Sequence, residues 1–386
     1  MTPQKRGTPD FLLLFLTFLL VSFGLAMVFS ASMSYYYDVK TATMLNDPSS
    51  LAIRQAAWIA VGTVAMFFFM NIDYRKIKKW IGPAFVIVVI ILLLVPVVGK
   101  EVNGATSWIE MGPLGNIQPS EFAKLAVILY LAALISKKED KMLNFKRGLL
   151  PGLAIVVFIS GLIMLQPDLG STAILVLSSL IVIIVGGANL KHIFYLGTAG
   201  AALASVVIAA AMLKPERSYR IARLTAFLDP SADPSDTGYQ LMQSLYAFGH
   251  GGITGAGFGQ GIQKLHYLPE AHTDFIFSII GEELGFIGAA IFALVYLAFL
   301  WRGVLVALRC KEMFGTLVSI GIIGMIGVQA LINLGGVTSS IPLTGVTLPL
   351  ISYGGSSMLI TLASLGILLS ISREYNKPEK EKNKRA

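Results

Sequence analysis

One short segment, Leu268-Pro-Glu-Ala-His-Thr-Asp274, carries Glu270, His272 and Asp274 within about one turn of chain, immediately before an apolar run. Three proton-handling side chains at such a boundary form a candidate acid–base site, with Asp274 as the candidate base. Asp274 could instead be a helix N-cap, or Thr273 could take that place and leave the carboxylate for chemistry. A second constellation is Ile117-Gln-Pro-Ser-Glu-Phe-Ala-Lys124. Pro119 and Ser120 signal a helix start. Glu121 and Lys124, three apart, share one helix face. Lys124 either snorkels outward along its stem or presents a cation to a cavity. In the second case the positive end of the helix adds to it, and the two together favour a phosphate or pyrophosphate; Gln118, Ser120 and Glu121 are candidate substrate contacts beside Lys124.

Other polar residues stand at comparable junctions. Trp108, in Asn103-Gly-Ala-Thr-Ser-Trp-Ile, is either a substrate contact or an interfacial anchor. Arg220 and Arg223 are either an anion contact or a surface that faces headgroups. Asp168, in Gln166-Pro-Asp-Leu-Gly, could be a plain cap. Ser352, Tyr353 and Ser356 surround Gly354-Gly355, which would weaken a helix; a break of that kind is tolerated only against protein or a wet cavity. Glu282 and Glu283 lie deeper in an apolar segment. Carboxylates in lipid are costly, so at least one should face a polar cavity or a partner.

The elements that must position these groups are membrane spans. Of 386 residues, 55% are hydrophobic and 13% charged, about half the usual charged share. A soluble enzyme could not hide that much apolar surface. Candidate spans fall at 11–31, 55–72, 80–99, 122–136, 149–165, 169–189, 193–213, 275–300, 314–336 and 347–372, each near the roughly 20 residues a crossing needs. The first exceeds the roughly 7–15 apolar residues of a signal core, so it is expected to be a retained anchor. Most of the 30 Lys and Arg lie in the even-numbered connections and the two tails, among them Arg75, Lys76, Lys137, Lys138, Arg302 and Arg373. That alternation places both termini in the cytoplasm. It also explains the net charge of +8 without nucleic acid. The expected fold is an all-α membrane protein of ten helices, with one polytopic domain over 1–372, a large outer loop at 214–274 and a basic tail at 373–386. The single cysteine, Cys310, excludes an intrachain disulfide. The polar ends of the fourth, eighth and tenth spans would all face outward, which argues for a site open to the outer leaflet rather than a channel.

The same residues carry a resemblance. Asn103-Gly-Ala-Thr-Ser-Trp-Ile, Ile117-Gln-Pro-Ser-Glu-Phe-Ala-Lys, Gln166-Pro-Asp-Leu-Gly, Leu268-Pro-Glu-Ala-His-Thr-Asp-Phe-Ile-Phe, Gly281-Glu-Glu-Leu-Gly and Ile351-Ser-Tyr-Gly-Gly-Ser-Ser resemble the signatures of the SEDS family of bacterial shape, division and sporulation proteins, in order along the whole chain. The 268–274 motif and Thr347-Leu-Pro-Leu-Ile-Ser-Tyr look closer to the FtsW/SpoVE branch than to RodA. The resemblance implies a peptidoglycan glycosyltransferase of the bacterial cytoplasmic membrane. Such a protein polymerises lipid II at the outer face beside a class B penicillin-binding protein, other divisome or sporulation proteins and membrane lipids. It places the family's essential aspartate on Asp274, its functional lysine on Lys124 and its important tryptophan on Trp108. Two departures stand out: Ser107 and Asn116 occupy places where relatives carry basic residues. Any pyrophosphate contact made there would pass to Lys124, Arg220, Arg223 or a divalent cation such as Mg2+ or Mn2+. A lipid II flippase and a non-catalytic scaffold are the alternatives.

Overall fold

The computed structural model describes residues 7–33, 37–38, 43–44, 49–102, 105–110, 116–138, 141–212, 227, 229–230 and 237–376. Its helices are α1 (Phe11–Ser32), α2 (Ser50–Asn71), the short α3 (Tyr74–Ile77), α4 (Ile81–Val98), α5 (Pro119–Ile135), α6 (Leu150–Met164), α7 (Leu169–Val185), α8 (Leu190–Met212), α9 (Thr237–Gly251), α10 (Ile276–Arg309), α11 (Met313–Val337) and α12 (Gly355–Tyr375). A helix thus occupies each of the ten expected ranges. Among the described residues, seven helices are long and apolar enough to cross a membrane, α6 being counted with the π-helical turn Phe145–Leu149 that leads into it. Two others, α5 and α7, have 17 residues each, short for a span.

Local chemistry sets the helix starts. Asp10 caps α1 through the Leu13 N–H at 3.0 Å. Pro119, which has no N–H to lose, opens α5. Asp168 caps α7 through the Ser171 N–H at 2.9 Å. α4 is apolar on all sides and leaves Val86, Ile90, Leu93 and Val97 exposed, as a helix bathed in lipid does. α12 is the buried centre of the bundle. It crosses α2 where Gly366 lies on the main chain of Met66; a Cβ there would strike the Met66 carbonyl. Small residues let membrane helices approach this closely.

One end of the bundle is ionic. Arg302 grips Asp10 at 2.9 Å, and Arg75 bridges Glu312 at 2.7 Å and Glu374 at 3.1 Å. Those Arg75 hydrogen bonds hold the Glu312 carboxyl below its ordinary range. Arg373 donates to the Gly7 carbonyl at 2.8 Å. Asp10, before α1, thus meets α10, and Glu374, at the end of α12, meets Arg75, which joins the α2–α4 connection to Glu312 between α10 and α11. Arg373 and Glu374 belong to the last turn of α12, not to a tail.

Three regions differ from the expectation. The connection at 100–117 contains a three-stranded antiparallel sheet, β3-β4-β5 in order (β1, Tyr37–Asp38, and β2, Thr43–Met44, form a separate pair), with β3 Lys100–Val102, β4 Ala105–Glu110 and β5 Asn116–Ile117. Its register pairs Lys100 with Trp108 and Ile109 with Ile117. The expected 214–274 loop contains α9, whose small buried face (Gly238, Ser244, Ala247, Gly251) packs on α10. Ser244 Oγ reaches Ser278 Oγ at 2.7 Å. The tenth helix starts at Gly355, so 347–354 is non-helical.

α10 is itself broken at Gly285, where φ is +67°. The main-chain groups released by the break are taken up by the glycine-rich segment 252–257. Ala256 and Gly257 N–H donate to the Glu282 and Glu283 carbonyls at 2.9 and 3.0 Å, and Phe286 and Ile287 N–H donate back to Gly252 and Ile253 at 2.9 and 3.1 Å. A break inside a membrane is stable only when its backbone is re-satisfied in this way. The Gly285→Ala variant should lose stability on the order of 2–4 kcal/mol, because a Cβ would meet the Gly255 main chain at a left-handed φ. A detergent thermal melt tests this, and an unchanged melting temperature would show that the 252–257 segment can retreat.

Candidate functional site

At the end of the bundle opposite the ionic cluster, four segments converge: the starts of α5, α7 and α12, and the turns that precede α10. Gln118 joins three of them. Its N–H donates to Ser356 Oγ at 3.0 Å, and its Nε2 donates to Asp168 Oδ2 at 3.0 Å. Ser120 Oγ reaches the same Asp168 oxygen at 3.4 Å. Asp168 is therefore a cap and also a clasp between α5 and α7. Ser356 Oγ donates in turn to the Asn116 carbonyl at 3.3 Å.

The non-helical 347–354 segment is held from both sides. Gln55 of α2 donates to the Ser352 carbonyl at 3.1 Å and accepts from Gly354 N–H at 3.2 Å. Ser352 Oγ accepts from Leu348 N–H at 2.8 Å and closes the turn. Tyr353 N–H donates to the His272 carbonyl at 2.9 Å, and the two rings lie 5.6 Å apart. The segment expected from Gly354-Gly355 to break is thus a fixed bracket for the 268–275 turns.

Within those turns, neither Thr273 nor Asp274 is the helix cap. α10 begins at Ile276 with Phe275 at the capping position. Thr273 Oγ1 instead donates to the exposed Glu270 carboxylate at 2.7 Å. The Glu270 carbonyl receives Thr273 and Phe275 N–H at 3.1 and 3.2 Å, which turns the chain so that Asp274 sits half-buried at the helix entrance. Its carbonyl accepts from Asn333 Nδ2 at 2.7 Å.

Lys124 neither snorkels nor points at open water. It is 1% exposed, with Nζ 2.9 Å from Glu121 Oε1 and 2.8 Å from Gln329 Oε1. Gln329 Nε2 then donates to the Thr347 carbonyl at 3.0 Å. One turn further along α11, Asn333 Nδ2 donates to the Val346 carbonyl at 2.7 Å as well as to Asp274. Gln329 and Asn333 share a helix face at i,i+4, and this face ties the cation to the segment that bears the acid. Asp274 lines a narrow crevice with Asn333, Gly336, Leu343 and Thr344, too tight in this structure to admit a water-sized molecule. Lys124 does not line it.

Trp108 lies half-buried in β4, and neighbouring Ser107 donates to the Gln166 carbonyl at 3.0 Å. Arg220 and Arg223 lie outside the described residues. The deeper carboxylates are structural. Glu282 accepts from Ile262 and Gln263 N–H at 2.7 and 3.1 Å and meets His250 Nδ1 at 2.9 Å. Glu283 pairs with Lys264 at 2.6 Å and accepts from Ser30 Oγ at 2.7 Å. Gln329, Asn333 and Gln55 are absent from the motifs singled out in the sequence. Two amides four residues apart in the otherwise apolar 313–337 segment were the available signal.

Burial pushes the His272 imidazole below its ordinary value, against a smaller upward pull from Glu270. The unfolded chain binds this proton near pH 6.5, and the folded chain resists it. Stability contributed by neutral His272 is present above that pH and is lost as pH falls through the folded value. Melting temperature should therefore drop between pH 7.5 and 5.5, and the drop should shrink in His272→Gln. Equal drops in both proteins would assign the effect elsewhere.

Architecture and site together describe a multi-pass helical membrane protein with a polar, titratable site at one end of its bundle. The family model described as "Cell cycle protein" (FtsW, RodA, SpoVE) matches residues 10–377, and the chain belongs to this SEDS family, on its FtsW/SpoVE branch. It is 44% identical over 372 residues to stage V sporulation protein E of Bacillus subtilis, covering 96% of this chain and 98% of that one. It is 40% identical over 372 residues to the probable peptidoglycan glycosyltransferase FtsW of Trichlorobacter lovleyi, covering 96% and 94%. Among solved structures, the rod shape determining protein RodA of Thermus thermophilus superposes with a TM-score of 0.69 at 29% identity, over 96% of this chain and 98% of that one. A chain of a peptidoglycan synthase complex, solved to address coordination of polymerization and crosslinking, gives 0.76 at 31% identity, over 96% and 99%.

Proposed function

We propose that the protein is an inverting peptidoglycan glycosyltransferase that polymerises lipid II at the outer face of the bacterial cytoplasmic membrane. Supporting this orientation, the ionic end of the bundle gathers the segment before α1 and the end of α12 with Arg75, Arg302 and Arg373, as the positive-inside rule requires of a cytoplasmic face. The observation that carries the reading is the single face of α11 that connects Lys124 to the Asp274 segment. Polymerisation needs both groups. A sugar hydroxyl attacks the anomeric carbon of the donor; its proton passes to Asp274 as the new C–O bond forms. The bond to the pyrophosphate breaks, and its electron pair leaves with the undecaprenyl pyrophosphate. Direct displacement turns an α-linked donor into a β-1,4 glycan without a covalent glycosyl-enzyme.

The departing charge requires cations or N–H groups. Lys124 is the candidate, and it becomes available if Glu121 exchanges it for the pyrophosphate. Among the described residues no group of three or more His, Cys, Asp or Glu is arranged to hold a metal ion. A Mg2+ or Mn2+ that serves the leaving group is therefore proposed to arrive on the pyrophosphate. The relative from a synthase complex supports a class B penicillin-binding protein as partner. Glu282 and Glu283, intramembrane carboxylates compatible with a flippase, are engaged by the 259–264 segment and Ser30 and lend that alternative no support.

Purified full-length protein, given labelled lipid II with and without a class B penicillin-binding protein, should yield glycan strands. A folded protein that yields none in either arm would sink the proposal.

A further inference from the structure

At the ionic end of the bundle the carboxylates are taken up by arginines. Arg302 holds Asp10 at 2.9 Å, and Arg75 gathers Asp73, Glu312 and Glu374 at 4.0, 2.7 and 3.1 Å. Beside this cluster, two connections carry a surplus of positive charge. Residues 73–80 and 136–147 hold nine Lys or Arg against three carboxylates. Two contacts set the connections side by side. Lys78 Nζ reaches Ser136 Oγ at 3.3 Å, and Lys138 Nζ donates to the Arg147 carbonyl at 3.1 Å. Lys76, Lys79, Lys137, Lys141, Lys146 and Arg147 stay exposed, and none pairs with a carboxylate among the described residues (Glu139 and Asp140 lie outside them). The second connection is a shaped frame. Asn144 Oδ1 accepts the Arg147 N–H at 3.2 Å, and Gly148 lies so close to the Lys141 carbonyl that a Cβ would strike it. Cations held in a fixed array lose less entropy when a ligand gathers them.

Two apolar side chains set the level of this array against the bilayer. Trp80 is 72% exposed at the entrance of the lipid-bathed α4, and Leu143 is 67% exposed between Lys141 and Lys146. An exposed indole at a helix entrance marks the headgroup region, and lysines beside it reach phosphates along their stems. The positive-inside rule explains why cations lie on this side. It does not require that Arg75 and Arg302 take up the nearby carboxylates, nor that an indole and a leucine stand exposed among the lysines. We propose that this surface is a binding site for the anionic headgroups of phospholipids. A phosphodiester accepts charge-assisted hydrogen bonds from Lys and Arg. A zwitterionic headgroup brings its own ammonium and gains less from the same array. An acidic protein segment would meet the charge but give Trp80 and Leu143 nothing to enter. The inference concerns binding alone and stands apart from the polymerase reading.

The test places full-length protein in vesicles that mix phosphatidylcholine and phosphatidylglycerol, with one or the other dibrominated, and reads quenching of tryptophan fluorescence. Bromine quenches an indole that it touches, and the Trp80→Phe variant separates the share of Trp80 from that of the other three tryptophans. Phosphatidylglycerol should be preferred at Trp80 by about fivefold or more, the weight of one cation at a membrane surface. In the patch variant Lys76→Gln/Lys79→Gln/Lys146→Gln/Arg147→Gln the preference should fall to near parity. All four side chains are exposed, so this variant should melt as the wild type does. In the tail variant Lys377→Gln/Lys380→Gln/Lys382→Gln/Lys384→Gln, which removes equal charge, the preference should hold. No preference at Trp80 would overturn the proposal and leave the surface to an acidic protein segment. Equal losses in the patch and tail variants would also overturn it, by showing the diffuse attraction of a basic face rather than a site.

Discussion

Replacing Asp274 by Asn is expected to cut lipid II polymerisation by about 10²–10⁴-fold, the usual contribution of a positioned general base, while the protein melts as the wild type does. The substitution is nearly isosteric, and it leaves in place the main-chain carbonyl that accepts from Asn333 at 2.7 Å. Phe275, not Asp274, holds the capping position of α10, so the change should not unravel the helix start. Glu270→Gln is the contrasting control. Its carboxylate is exposed and bonded to Thr273 at 2.7 Å, and its carbonyl does the turning of the chain, so polymerisation should fall only a few-fold. Glycan yield from labelled lipid II and a detergent melt measure both variants. Full polymerisation by Asp274→Asn would remove it as the base, and a large loss in Glu270→Gln alone would move that role one turn upstream.

The parts of this fold that were legible in the sequence follow from short-range rules. Uniform apolar runs mark the helices, Pro119 and Asp168 mark two of their starts, and Gly354-Gly355 marks a break, although the span expected from 347 becomes helical only at Gly355. Glu121 and Lys124 share a face because three residues nearly complete a turn. What escaped depends on partners distant in the chain. Phe275, rather than Thr273 or Asp274, caps α10 because the Glu270 carbonyl draws the Thr273 and Phe275 N–H into its own turn. α9 falls inside the expected 214–274 loop because its buried face is mostly small or polar (Thr237, Gly238, Ser244, Ala247 and Gly251 beside Leu241) and its 15 residues are too few for a span. The partners of Glu282 and Glu283 come from a loop 19 to 24 residues upstream, from His250 of α9 and from α1, a pairing that no local pattern encodes. Asn333 reads as one amide in an apolar run, and its role appears only when α11 is packed against the turns before α10.

The buried ion pair at Lys124 allows structure and catalysis to be separated. Lys124→Met should destabilise the protein by about 3–5 kcal/mol, because it leaves the Glu121 carboxylate charged and unpaired in the bundle. Inactivity of that variant alone would therefore say little about mechanism. In the double variant Glu121→Gln/Lys124→Met both charges are gone. Replacement of a whole buried pair by neutral groups is often neutral or stabilising, so the melting temperature should return close to that of the wild type. Polymerisation should not return with it, since the Lys124 cation proposed to meet the departing pyrophosphate is gone. The two readouts then diverge in a way that a purely structural lysine cannot produce. If the double variant regained stability and made glycan strands at the wild-type rate, Lys124 would be a helix clasp, and the leaving group's charge would have to be met by other means. If it regained stability and stayed inactive, the Glu121–Lys124 pair would be a latch, with Glu121 holding the cation in the resting site until a stronger anion displaces it.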